Sequence, residues 1–233
     1  MQIFECTPIG FIHSPYQQKF GIPRQPHLAP AAKVTLELIA PYNHPDCVRG
    51  LEEFEYVWVQ FIFHQCQTEG WAPLVRPPRL GGSKKKGVFA TRSPHRPNHI
   101  GLSLLKLEEI QTKQGVRLIF SGADLLDKTP VLDIKPYLPF VEAIAQAKSG
   151  FVDQPPPILP VLWSEKALAV WQNLNKEQGF RLLIEQSLAQ DPRPAFHQDD
   201  KRQYGMLLEN INVIFQVTSD CVTIVDLLLV PTK

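Results

Sequence analysis

Proline placement constrains this chain more than any other feature. Proline lacks a backbone N–H and holds φ near −65°, so the 22 prolines among 233 residues leave room mainly for short regular elements. The runs between them alternate. Val34, Leu36 and Leu38 are separated by Thr35 and Glu37, the period of a half-buried strand. Residues 56–63 are aromatic and β-branched on both faces, which predicts a central strand covered on both sides. Residues 3–13, 87–91, 102–110 and 116–120 supply further extended stretches. Short strands with proline-rich connections predict a mostly-β fold, a sandwich or a small β-barrel of antiparallel and mixed strands. Regular helices do not alternate with these strands, and none of the 13 glycines forms a Gly-x-Gly pair. The fold is therefore not Rossmann, and no phosphate loop is present.

Helical signal is sparse in the first two-thirds. Phe140, Ile144 and Ala147 share a face and suggest a helix over 140–148. Pro155, Pro156, Pro157 and Pro160 then forbid helix and sheet interior alike. They mark a linker at 151–163 between a barrel domain at 1–150 and a small α+β C-terminal domain at 164–233. Within that domain Ser164 can cap a helix carrying Ala167, Leu168, Trp171 and Leu174. Phe180, Leu183, Ile184 and Leu188 mark a second helix, stopped by Asp191-Pro192. Ile211, Val213, Phe215 and Val217 alternate as a strand, with residues 222–230 as its hairpin partner. A unit this small is expected to pack on the barrel.

Composition excludes several classes. Cys6, Cys47, Cys66 and Cys221 stand alone with no Cys-x-x-Cys pair, which disfavours a disulfide scaffold or zinc ribbon and suits a reducing cytoplasm. No apolar run reaches membrane-spanning length, and the start Met1-Gln2-Ile3-Phe4-Glu5 does not read as a secretory signal. The formal charge of +1 conceals an asymmetry. Residues 1–75 hold 4 basic and 7 acidic groups, and residues 97–233 hold 13 and 16. Between them Arg76, Arg79, Lys84, Lys85, Lys86, Arg92 and Arg96 meet no acid at all. Such a segment is either a solvated loop or a docking face for a polyanion, and arginine forks suit phosphate.

Four polar segments hold more chemistry than a core-and-turn account requires. In Pro23-Arg24-Gln25-Pro26 two prolines stiffen a loop that presents a charge and an amide. His64-Gln65 follows the aromatic strand, where loops place binding groups; a satisfied structural histidine is the alternative. In residues 91–103, His95 and His99 lie four apart, but Pro94 and Pro97 disfavour the helix that a zinc pair would need. No metal site is expected there; a rigid polar loop contacting an anion or a base is. Residues 122–137 contain Asp124, Asp127 and Asp133, either a binding wall or a structural turn. Asp133 lies between Leu132 and Ile134 and can be drawn toward the interior, where an unpartnered charge is costly.

Taken together, Pro8-Ile9-Gly10-Phe11-Ile12-His13-Ser14-Pro15, Ile22-Pro23-Arg24-Gln25, Arg49-Gly50-Leu51-Glu52, residues 91–103 and residues 122–136 resemble the TsaA-like (TrmO) family. Asp191-Pro192-Arg193-Pro194-Ala195-Phe196 resembles the signature of the C-terminal domain in its bacterial long form. The resemblance implies a β-barrel tRNA methyltransferase that uses S-adenosyl-L-methionine to methylate N6 of threonylcarbamoyl-adenosine at position 37, in the anticodon stem-loop. It further implies a homodimer whose interface helps build the site. By motif correspondence, Pro23, Arg24, Gln25, His64, Gln65, Arg92, Leu102, Asp124, Leu125, Leu126 and Asp127 would hold the cofactor.

Transfer to N6 needs a polar acceptor for its proton. Asp124, Asp127, Asp133 and His64 are the candidates, unranked by sequence. A base in a single-stranded loop can be splayed out without breaking a duplex. Arg76, Arg79, Lys84, Lys85, Lys86, Arg96 and Arg193 are candidate phosphate contacts; Arg193, between two prolines, can instead be a fixed salt-bridge partner. Two other readings remain open: a metal-dependent nucleotide or phosphate-ester hydrolase, and a non-catalytic RNA-binding module.

Overall fold

The computed structural model describes residues 3–152, 154–194 and 199–231; Met1, Gln2 and the Ala195-Phe196 end of the second motif lie outside them. Six strands close a barrel: β1 (Gly10–His13), β2 (Val34–Leu38), β3 (Tyr56–Ile62), β6 (Ile100–Gln111), β7 (Arg117–Ser121) and β8 (Pro130–Pro136). Their order around the barrel is β1-β2-β7-β6-β3-β8. All six pairings are antiparallel. Closure follows from alternation: Leu36, Val57, Val59, Leu105, Leu118, Phe120 and Val131 are buried inside, while their strand neighbours face outward. Prolines occupy only the ends of β8, where a missing N–H does least harm.

Between β3 and β6 the chain makes an excursion through a two-stranded ribbon of β4 (Leu74–Val75) and β5 (Lys86–Gly87). The strand expected at 87–91 is largely absent: residues 88–90 form one 3-10 turn closed by the Thr91 hydroxyl donating to the Val88 carbonyl at 2.8 Å. Only Val88 there reaches the interior, whereas Phe89 is 77% exposed, so alternation had no core to face. The helix expected at 140–148 shrinks to the single turn α1 (Pro139–Glu142). Phe140 and Ile144 remain 86% and 72% exposed, and an isolated helix that short gains too little to persist. The second half of the 122–137 segment is strand β8.

The C-terminal unit is a four-stranded sheet of order β10-β11-β12-β9, made of β9 (Val161–Trp163), β10 (Gln203–Leu208), β11 (Ile211–Val217) and β12 (Val222–Leu229). Among the described residues, the mixture of strand directions expected of the barrel is absent there and occurs only in this sheet, where β9 runs parallel to β12. Helix α2 (Glu165–Asn173) starts where Ser164 accepts from the Ala167 amide at 3.1 Å. Helix α3 (Gln178–Ala189) ends just before Asp191, whose φ of +44° lies in the left-handed region. Strand β10 and the short β9 were not anticipated, although Tyr204, Met206 and Leu208 alternate as clearly as β11 does. Among the described residues no helix is long and apolar enough to cross a membrane.

Residues 14–33 form a strap that leaves the barrel after β1 and returns at β2. On the way Tyr16, Ala29 and Ala32 enter the hydrophobic core of the C-terminal unit, with exposures of 1% or less. The strap carries the Pro23-Arg24-Gln25 motif.

Candidate active site

The polar segments are brought together by hydrogen bonds anchored on this strap. Arg92 donates through Nη1 to Gln25 Oε1, tying the strap to the 91–99 loop. Lys19 Nζ donates to the Gln65 carbonyl at 2.9 Å and pairs with Glu69 at 2.7 Å, drawing in the 3-10 turn that holds His64. The His27 amide donates to the Gly122 carbonyl at 2.8 Å, and the Asp127 amide to the Tyr16 carbonyl at 2.9 Å. Gly122 has a φ of +67°, and a Cβ there would sit 2.7 Å from the His27 ring. The strap and the aspartate segment approach this closely only because that residue is glycine.

The two aspartates of the segment have different surroundings. Asp127 accepts from the Ser14 amide at 2.9 Å, fixing the corner after β1. Asp124 accepts from the Ser103 hydroxyl of β6 at 2.7 Å. Burial pushes the Asp124 carboxyl up to about 6, despite the opposing pull of Ser103 and of the Arg92 charge. His64 is shifted the other way: partial burial holds its imidazole below the usual range and so favours the neutral ring. The charge of Asp127 opposes that shift, which places the pair within electrostatic reach. Proton exchange near neutrality is therefore available to Asp124, while His64 is favoured as the neutral ring.

Other predicted residues stand apart from this cluster. Asp133 does not turn inward: it is exposed, accepts from the Ile134 amide at 2.9 Å and lies 3.8 Å from Lys135. Its strand position sets it outward: Asp133 pairs with Gln60, its neighbour Ile134 pairs with buried Val59 and packs on the core, and the bulge between Gln60 and Phe61 lets Val131 face inward as well. Leu102 also points outward, 51% exposed, and pairs through Gln60 with Asp133 in one cross-strand row. Adjacent residues of a strand face opposite ways, so Leu102 and Ser103 serve different faces. Leu125 and Leu126 are buried and meet the site through their backbone, their carbonyls accepting from Ser14 and Thr129 at 2.7 Å each. Asp124, Asp127 and Asp133 do not converge on a cation; among the described residues no trio of His, Cys, Asp or Glu could hold a metal ion.

The cationic residues divide into two groups. Arg76, Arg79, Lys84, Lys85 and Lys86 are exposed around the β4–β5 ribbon. Arg96 instead turns Nη1 onto the Thr91 and Ser93 carbonyls at 3.1 and 3.3 Å. Arg193 grips Asp191 through two nitrogens at 2.9 and 3.0 Å and donates to the Val217 carbonyl at 3.0 Å. This is the fixed salt-bridge geometry, and the Arg193 carbonyl in turn accepts from Arg24 at 3.4 Å.

Sequence reasoning passed over Lys19 and Tyr16, which join these segments, and gave Ser103 no role beyond its place in the 91–103 segment. Nothing in their spacing signals that role, since each partner lies far away in the chain. A surface cavity of about 440 Å³ lies along residues 109–117 and shares no residue with the cluster. A smaller one of about 180 Å³ is lined by Phe89, Arg96, Pro97, Asn98 and Ile100, beside the 91–99 loop.

A closed antiparallel barrel without a dinucleotide crevice, carrying an arginine- and aspartate-lined loop cluster, defines a non-Rossmann class of enzyme fold. Residues 11–143 match the tRNA-methyltransferase O N-terminal domain and residues 156–229 the TrmO C-terminal domain. The chain belongs to the tRNA-methyltransferase O family and is an enzyme of that family. It is 46% identical over 224 residues to a tRNA (adenine(37)-N6)-methyltransferase of Escherichia coli, covering 94% of this chain and 95% of that protein. It is 57% identical over 164 residues to a protein of the same name from Eikenella corrodens, covering 70% and 91%. The crystal structure of TrmO from Pseudomonas aeruginosa superposes with a TM-score of 0.80 at 42% identity, covering 97% of this chain and 99% of that one.

Proposed function

We propose that this chain transfers a methyl group from S-adenosylmethionine to N6 of threonylcarbamoyl-adenosine at position 37 of tRNA. The observation that carries this reading is one hydrogen-bonded strap that ties Gln25 to Arg92, Lys19 to the turn holding His64 and Gln65, and His27 and Tyr16 to the Gly122–Asp127 segment, with Arg24 next to Gln25 in the chain. The donor set fits the cofactor. Arg24 and Arg92 match a carboxylate, Gln25 can both donate and accept, and Asp124 and Asp127 match an ammonium or ribose hydroxyls. When bound, S-adenosylmethionine supplies a methyl already activated by its sulfonium, so alignment contributes much of the rate.

The chain's own residues supply the rest. Asp124 is the favoured acceptor of the N6 proton, because its carboxyl titrates near 6 and Ser103 orients it. His64, whose neutral ring is favoured by partial burial, is the alternative. Asp127 already holds the Ser14 amide, and Asp133 faces outward. Arg76, Arg79 and Lys84, Lys85 and Lys86 dock the phosphates of the anticodon stem-loop, while Arg96 and Arg193 shape the loops that flank the site.

A homodimer is part of this reading. Exposed Phe89, Ile100 and Leu102, at 77%, 40% and 51%, form an apolar surface beside the cluster that suits a second copy. We also assign the domains as 1–150 and 164–233 around the 151–163 linker, whose last three residues, Val161–Trp163, join the C-terminal sheet as β9, with the strap shared between the two. The four cysteines are free, which suits a reducing cytoplasm.

Incubating the protein with S-adenosylmethionine and tRNA carrying or lacking the threonylcarbamoyl group, then resolving the nucleosides by mass spectrometry, tests the assignment. A methylated threonylcarbamoyl-adenosine is expected from the modified tRNA alone. Methylation of another nucleoside, or none, would refute it.

A further inference from the structure

The strap has two walls. On the barrel side it is held by Lys19 at the Gln65 carbonyl, by Gln25 at Arg92, and by His27 at Gly122. On the other side every attachment is to the C-terminal unit. The Tyr16 hydroxyl bonds the Ser187 hydroxyl of α3 at 2.9 Å, and the Glu209 amide donates to the Pro15 carbonyl at 2.7 Å. Gln18 donates to the Gly205 carbonyl at 3.3 Å, and the Ala31 amide donates to Gln186 at 2.7 Å.

The residues just before Arg24 are seated most closely. Phe20 stacks on Tyr204 of β10 and Phe215 of β11, with centroids 6.3 Å from each and planes within 20° and 15°. Gly21, at a φ of +92°, lies so near Met206 that a Cβ would meet its Sδ at 2.4 Å. Ile22 packs against the same core. Pro23 then limits how far Arg24 can move independently of this bed.

We propose that Phe20, bedded on Tyr204 and Phe215 of the C-terminal sheet, is a positioning residue for cofactor binding. The C-terminal unit thereby completes the cofactor site from behind without touching the cofactor. The inference rests on the proposed use of S-adenosylmethionine at the strap. Stacked rings and a glycine pressed on Met206 fix the height and direction of the segment presenting Arg24 and Gln25. A bound ligand then loses little entropy ordering it. Binding at the strap and packing of β10 and β11 are two readings of one equilibrium.

Calorimetry with S-adenosylmethionine on the full chain tests this. Phe20→Ala is expected to weaken cofactor binding about tenfold, with tRNA affinity within twofold of wild type, while Phe20→Tyr keeps the stack and restores cofactor affinity. A merely structural role would lower thermal stability without splitting the two affinities. A folded Phe20→Ala protein that binds the cofactor as wild type does overturns the proposal. Should Phe20→Ala fail to fold, hydrogen–deuterium exchange on the wild type decides. The cofactor is expected to slow exchange at 17–26 and in β10 and β11 together, and protection that stops at the strap overturns the proposal. No cofactor binding by the wild type instead overturns the methyl-transfer reading, and this inference with it.

Discussion

Replacing Asp124 with asparagine should change stability and catalysis in opposite directions. The side chain keeps its shape and can still accept from Ser103, but it no longer ionises. Burial raises the Asp124 carboxyl from 3.8 to about 6. An acid whose native pKa is raised contributes its full stability below the unfolded value, and loses it as pH rises through the native one. The wild type therefore gives up stability between about pH 4 and pH 6, and Asp124→Asn does not. At about 1.4 kcal/mol per pH unit, the ceiling is about 3 kcal/mol, and solvent access to a half-buried group reduces it to about 1–2 kcal/mol. Denaturant melts at pH 4 and pH 7.5 should show the variant matching the wild type at the first and exceeding it at the second. Methyl transfer should nevertheless fall by roughly 10²–10⁴, the worth of a lost general base, with loss of the rate limb near pH 6. A variant with wild-type turnover and an unchanged pH profile would refute Asp124 as the acceptor. Equal stability at both pH values would refute its burial cost.

The docking face and the cofactor loop should separate in binding experiments. Charge reversal at Arg76 and Arg79 should weaken tRNA binding and reduce its salt dependence by a slope of roughly 2, with cofactor affinity unchanged in a parallel titration. Arg24→Ala should weaken cofactor binding roughly tenfold to a hundredfold, the loss of a charged hydrogen bond, as read by calorimetry. Phe120→Ala, at a fully buried barrel position, should cost about 3–5 kcal/mol in urea unfolding.

Strands were legible wherever alternation met a core. The Val34–Leu38 and Ile211–Val217 runs each bury every second residue, and the pattern is local to the run. The same reasoning overreached at 87–91 and 140–148, where apolar residues have the right spacing and nothing to pack against. Strand β8 was hidden for another reason: its Asp133 and Lys135 are simply the outward half of a pleat. Motif residues at the site were visible through family resemblance, but their assembly was not. Arg24 and Arg193 are 169 positions apart, and Lys19 and Gln65 are 46; contacts at that range leave no periodic trace. Arg193 illustrates the limit: between two prolines it reads as a ligand contact or an anchor, and its bonds to Asp191 and Val217 become visible only in the fold.

A photoreactive azido-adenine analogue of S-adenosylmethionine, crosslinked to the full-length protein and mapped by peptide mass spectrometry, would locate the cofactor directly. The expected labels fall in peptides containing residues 22–27, 64–65, 92 and 124–127, all competed by unmodified cofactor. Competable labelling confined to the 109–117 cavity, or to the C-terminal sheet, would contradict a pocket assembled by the strap.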